Sequence, residues 1–303
     1  RCYQMFSIIK RKRSTLGLVL LCASLLIGSN SFAAAETSFS QNGKFTVGGN
    51  VKKVDMEQVQ SFTGIEANVR IPYQLESVEY YEVQGVKKDD GTYSYHYEMT
   101  IPPEQRDPVI AAPVEYNEKE HRLLIKVGAA PKGTKAMVYP GEDEGTRVTS
   151  PAPTPTALGD GANTETNAIA LASTDSGKFR TIWEDPVKLN VNWVRDNLSY
   201  SYNGSTVSWI SGDDERWWLS GTGWWEQDHS INSYYGSGNT SVTVSTDSHF
   251  MNQTFCVANP TTEVFYNGNK ITGHKDGSIT VGVDTNATGG CSSWLSHYSE
   301  FTR

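Results

Sequence analysis

Tryptophan is absent from the first 180 residues of this 303-residue chain; all eight, Trp183, Trp193, Trp209, Trp217, Trp218, Trp224, Trp225 and Trp294, come later. Cysteine is scarce as well. Of four, only Cys256 and Cys291 lie beyond residue 35. In an oxidising compartment an isolated pair is most simply a disulfide. Closing a loop of about 35 residues, it is worth roughly 3–4 kcal/mol on the loop-entropy argument. Neither cysteine has a local basic partner, so a nucleophilic thiol is not supported. His229, His249, His274 and His297 show no H-x-x-x-H or H-E-x-x-H spacing, which argues against zinc. No G-x-S-x-G serine elbow and no P-loop occurs. No cofactor and no metal are therefore expected. No apolar run reaches the roughly 20 residues of a confident membrane span.

The N-terminus carries the pattern of a secretory signal over residues 1–35. Lys10-Arg11-Lys12-Arg13 is a basic leader, Leu16 to Gly28 an apolar run of h-region length, and Ala33-Ala34-Ala35 a small-residue cleavage pattern. Cleavage after Ala35 and a secreted, extracellular chain follow as expectations, with an uncleaved N-terminal anchor as the competing reading. Met5 is a candidate start, since Arg1 cannot initiate translation. Removing this segment takes away five basic residues and no acid, so the formal charge moves from −8 to −13. A chain that acidic is repelled by phosphate backbones, which argues against nucleic acid as a partner.

Composition divides the remainder. Residues 36–140 read as an α+β or mostly-β domain. Lys44 to Val47 suits a strand, Asp55 caps a short helix through Gln60, and Val78 to Val86 is strand-like. Asp90-Gly91 is a hairpin dipeptide, and Tyr93, Tyr95, Tyr97 and Met99 then fall at period two. These tyrosines read as cross-strand packing rather than ligand contacts. Leu123 to Val127 and Met137 to Tyr139 complete an antiparallel sheet. Residues 141–175 read as a linker: a stiff, extended Pro/Thr tract from Ser150 to Thr156, then a polar stretch with little to bury. Residues 176–303 read as an all-β domain, an antiparallel β-sandwich or jelly roll. Turn signals recur there at Asn203-Gly204, Gly221-Thr222-Gly223, Gly236-Ser237-Gly238, Asn267-Gly268 and Asp276-Gly277.

Four segments carry a resemblance: Thr181-Ile182-Trp183-Glu184-Asp185-Pro186, Trp218 to Trp224, Tyr266-Asn267-Gly268-Asn269 and Gly289-Gly290-Cys291-Ser292. They resemble uncharacterised secreted β-domain proteins of Gram-positive bacteria, over most of residues 178–303. Met56 to Glu82 more faintly resembles extracellular domains of some bacilli. The resemblance implies export and a bacterial source; it brings no site residues with it.

The sharpest chemical feature is Arg216 to Glu226, read as a hairpin with a Trp-Trp pair on each arm. Neighbours on a strand face opposite ways, so each of Trp217-Trp218 and Trp224-Trp225 sends one ring inward and one outward. The outer rings then stack on each other or form a platform for sugar rings, and these four are the candidate binding residues for a glycan or cell-wall polymer. Glu226 and Asp228, two apart on one strand, read as a same-face carboxylate pair of the kind that hydrolyses glycosides. Asp213-Asp214-Glu215 reads as a solvated acidic turn, with calcium as the alternative. Five Asn-x-Ser/Thr sequons read as chance in a bacterial chain. The leading expectation is a secreted binding protein. The alternatives are a secreted polysaccharide hydrolase and a structural or protein-interaction module without a small ligand. Nothing in the sequence sets an oligomeric state.

Overall fold

The computed structural model describes residues 38–39, 43–67, 69–71, 74–89, 91, 93–134, 144–156, 172–256 and 261–303. The expected signal segment, its Ala35 cleavage site and the strand at Met137 to Tyr139 lie outside them. The described chain belongs to one compact unit spanning 35–303.

That unit is mainly β. In chain order its strands are β1 (Ser38–Phe39), β2 (Thr46–Gly49), β3 (Val51–Val54), β4 (Ile65–Glu66), β5 (Glu76–Gln84), β6 (Val86–Lys87), β7 (Tyr93–Ser94), β8 (His96–Ile101), β9 (Val109–Asn117) and β10 (Arg122–Ala129). They continue with β11 (Thr146–Pro151), β12 (Ser173–Glu184), β13 (Asn190–Tyr202), β14 (Val207–Trp218), β15 (Trp224–Tyr235), β16 (Ser241–Asn252), β17 (Thr262–His274), β18 (Ile279–Gly289) and β19 (Ser296–Thr302). The one α-helix among the described residues, α1 (Met56–Ser61), begins at Asp55, whose side chain accepts from the Gln58 amide while the Gln58 side chain accepts from the Asp55 amide. This reciprocal cap fixes the start of a helix too short to persist by propensity alone.

Two antiparallel sheets make a sandwich. One runs β1-β2-β8-β18-β17-β16-β15; the other runs β11-β14-β13-β12-β19-β9-β10-β5-β3, with β4 joined to β9. The order corrects the division into domains at 36–140 and 176–303. β8 pairs with β18, Ile101 opposite Ile279, and β9 pairs with β19, Val109 opposite Phe301. The physical reason is burial. Phe45, Tyr97 and Met99 from the first half pack in one core with Phe179, Leu198, Val244 and Ile271 from the second. Neither half covers its own apolar faces.

The 141–175 linker is corrected with it, as far as it is described. Residues 146–151 are strand β11, paired along β14 from Thr146↔Trp218 to Pro151↔Asp213. The Ala152 amide then donates to Gly212, and Ala152 packs against the main core. Ser173 to Glu184 is strand β12. Asn267-Gly268 is no turn either. It sits inside β17, where Gly268 at φ 84° makes a bulge against β18 and β16. Asn203-Gly204, Gly236 to Gly238 and Asp276-Gly277 do connect consecutive strands.

Candidate functional site

Arg216 to Glu226 is not a hairpin. β14 belongs to the ten-stranded sheet and β15 to the seven-stranded one, and a 3-10 turn at Ser220–Thr222 carries the chain across. The four tryptophans therefore part company. Trp217, 1% exposed, stacks on Trp193 with ring centroids 6.4 Å apart. Trp218 packs into the space between the sheets against Phe250 at 5.8 Å. Trp224 is buried beside Phe255, also at 5.8 Å. Trp225, like Trp218, stays partly open, its Nε1 donating to Gln227 at 3.4 Å. Each pair does split its rings between two faces, but the rings build no shared platform.

The carboxylate pair is corrected by a bulge. β15 shifts register between Glu226 and Asp228, which breaks the same-face spacing. Glu226 points between the sheets, where Arg216 donates to both its oxygens at 2.8 and 2.9 Å and Ser248 adds a bond at 2.8 Å. Asp228 is exposed and accepts from the His229 amide.

Asp213-Asp214-Glu215 is likewise no solvated turn. The three lie inside β14, with Asp214 wholly buried and Glu215 nearly so. Alternation aims Asp214 inward and Glu215 outward, so they do not converge on one cation. Asp214 faces its cross-strand partner Asp196. The Thr246 hydroxyl lies 2.6 Å from Asp196 Oδ1 and 3.3 Å from Asp214 Oδ2. Asn269 donates to Asp196 at 2.9 Å, and His229 Nε2 lies 2.5 Å from Asp214. Burial among neutral donors pushes the Asp196 carboxyl well above the usual carboxylate range.

The open site lies elsewhere, in a cleft of about 850 Å³ at one end of the sandwich. Both sheets lose a ladder there. β18 pairs with β8 only as far as Asp284↔His96, so Thr285 to Gly289 run on without a β8 neighbour. β19 pairs with β9 only from Ser299↔Ala111 to Phe301↔Val109. Two residues further along that register, His297 falls against Pro113, which has no N–H to give. Beyond it β9 bulges at Val114 and turns its pairing to β4. The sheet divides at the proline, and the space between β9 and β19 becomes the cleft.

Aromatic rings line it. Trp183 lies at its base, 5% exposed, with Nε1 donating to Thr285 at 2.9 Å and the His297 ring 4.6 Å away. Desolvation pushes the His297 imidazole down to about 4, so it is neutral near pH 7. On the opposite wall Tyr95 and Tyr116 meet edge to face and share a 2.9 Å hydroxyl bond. Burial raises the Tyr95 hydroxyl further above its ordinary value. Trp294 stands at the lip, 58% exposed, on a 3-10 turn at Ser292–Trp294. The Cys256–Cys291 disulfide anchors the start of that turn. Asn286, Thr288 and Ser293 add amide and hydroxyl groups.

None of the six site residues chosen from sequence lines this cleft. The signals for it were present but separate. Trp183 and Trp294 were two tryptophans outside the doubled pairs, and Pro113 interrupts an apolar run that has no other reason to stop. Tyr93 and Tyr95, read as packing, do pack, on His121 and Tyr116, and also face the cleft. No family model matches this chain, and neither a curated protein nor a solved structure is significantly similar to it.

Proposed function

We propose that this is an exported glycan-binding protein and that a sugar chain lies in the cleft between Trp294 and the Tyr95–Tyr116 wall. The observation that carries the reading is the open Trp294 face beside a deep aromatic cleft with amide and hydroxyl groups around it. Sugar rings present C–H faces that pack on aromatic rings, and hydroxyl rims that hydrogen-bond to such groups. Apolar walls with a few convergent polar groups are the usual make-up of a small-ligand site. Export rests on the residue 1–35 pattern and the disulfide. The hydrolase alternative loses its acid/base pair, because Arg216 holds Glu226 and Asp228 faces away.

The test is a screen of the 36–303 protein against glycans and cell-wall polymers, following tryptophan fluorescence. Trp294→Ala is expected to remove binding with little change in thermal stability, since the ring is mostly in solvent. A Trp294→Ala protein that binds like the wild type would refute this placement.

A further inference from the structure

Main-chain groups open into the cleft along β18. Thr285, Asn286, Ala287 and Thr288 all line it, although successive side chains of a strand face opposite ways. Four consecutive residues share the cleft because the strand presents its edge to it, in the stretch that has run past β8. The ladder on the other side fixes which groups point out. Gly289 stands opposite Thr262, and the Gly290 amide donates to Thr261 at 2.9 Å. In an antiparallel pair the N–H and C=O of one residue point the same way, and the direction alternates along the strand. Gly290, Thr288 and Asn286 therefore turn their main-chain groups towards β17, while Ala287 and Gly289 turn theirs away. The Gly289 carbonyl accepts from the Ser292 hydroxyl at 3.0 Å. The Ala287 N–H and C=O have no partner among the described residues, and Ala287 is only partly buried.

The open edge amounts to this one residue, because Thr285 is buried and the Gly289 carbonyl is taken. That is too little to hold an added strand and enough to hold one amide group. Its surroundings are apolar. Ala287 packs on the cluster that contains Trp183 and Leu295, and both of those also line the cleft. A main-chain N–H beside an apolar corner suits an acetyl group, whose carbonyl accepts the hydrogen bond while its methyl leaves water. Charge favours a neutral ligand over an acidic one. Among the described lining residues Lys188 is balanced by Glu184 and Asp185, with its Nζ closed to solvent, and His297 is neutral. Glu66 and Glu118 stand exposed at the cleft and would repel an acid.

We propose that the Ala287 N–H donates to the acetamido carbonyl of the bound sugar, so that the cleft selects N-acetylated amino sugars. This rests on the glycan reading of the same cleft. The test measures the affinity of the 36–303 protein for oligosaccharides of N-acetylglucosamine, glucosamine and glucose. With length and linkage equal, they differ only in the group at the second ring carbon: acetamido, amine or hydroxyl. The wild type is expected to bind the N-acetylated chain at least about tenfold tighter than either of the others, the scale of one hydrogen bond with a buried methyl. Ala287→Pro deletes the N–H that faces the cleft and cuts no bond to β17, a position where a strand tolerates proline. It should bring the N-acetylated chain down to the affinity of the glucose chain while keeping the wild-type melting temperature. Ala287→Gly retains the N–H and should retain the preference. Equal affinity for the three sugars, or a preference that survives in a folded Ala287→Pro protein, overturns the proposal. Should that variant fail to fold, the wild-type comparison still decides. Tightest binding of the amine would hand selection to Glu66 and Glu118 and also overturn it. In these cases the glycan reading stands. Silence from all three sugars removes the acetamido assignment, and the wider glycan screen then decides the glycan reading by itself.

Discussion

Asp196 shows how one buried atom pair sets a pH response. The Thr246 hydroxyl has a single proton and two carboxylates within reach, Asp196 and Asp214. If Asp196 keeps its own proton, it can donate to Thr246, and Thr246 can donate to Asp214. Every contact is then satisfied, with His229 and Arg216 beside Asp214. The folded carboxyl is shifted upward, so the folded chain keeps a proton that the unfolded chain releases above about pH 4. Stability contributed by this group is thus fully present below that pH and is lost as pH rises towards the folded-state value. Asp196→Asn keeps the shape and hydrogen-bonding capacity without the ionisation. Its melting temperature should match the wild type near pH 4 and exceed it at pH 8; parallel pH profiles would show that Asp196 ionises freely. Some residue-level features were legible in sequence. The Asp55 cap and the inward face of Tyr97 and Met99 follow from local pattern. Asp214 was not, because a run of three acids reads as surface unless its cross-strand partners are known.

Bulges decided where the elements departed from expectation. Asn267-Gly268 carries the composition of a turn, and a left-handed glycine is what it supplies; long strands on both sides turn that glycine into a bulge inside β17. At Gly268 the backbone has φ 84°, and an added Cβ would meet only the Ser245 hydroxyl at 3.6 Å, so the cost of substitution there is conformational and not steric. Gly268→Ala should destabilise by about 1–2 kcal/mol. Gly221→Ala, in open space without a positive φ, should change stability by less than about 0.5 kcal/mol. Chemical denaturation of both variants checks this, and equal midpoints would contradict it. The register shift in β15 has a similar consequence for chemistry. Sequence spacing put Glu226 and Asp228 on one face, and one extra residue in the strand placed them apart. Strand existence was readable from alternation and turn residues, whereas the sheet partner of each strand depends on faces that only the assembled sandwich buries. For that reason the Trp-Trp segments looked like one hairpin and are a bridge between sheets.

Interleaving governs the whole molecule. A fragment of residues 176–303 keeps most of β12 and all of β13 to β19 but loses β8 and β9, which leaves the flanks of β18 and β19 uncovered. We expect that fragment to lack a cooperative thermal transition, while the 36–303 chain shows one. A sharp, reversible transition in the fragment would mean that the second half closes its own core. The tryptophan asymmetry that suggested two domains is real, but it marks composition and not autonomy. The interleaving also bears on when this chain can fold. The last described strand, β19, fills the place between β12 and β9, and Arg303 donates to the Ile101 carbonyl across a separation of 202 residues. During synthesis from the N-terminus, β8 and β9 wait with open edges until β18 and β19 emerge, and this long-range closure makes folding slow. A chain that delays its collapse in this way keeps its apolar strand faces open until β19 arrives, and that interval is when it is most exposed to aggregation.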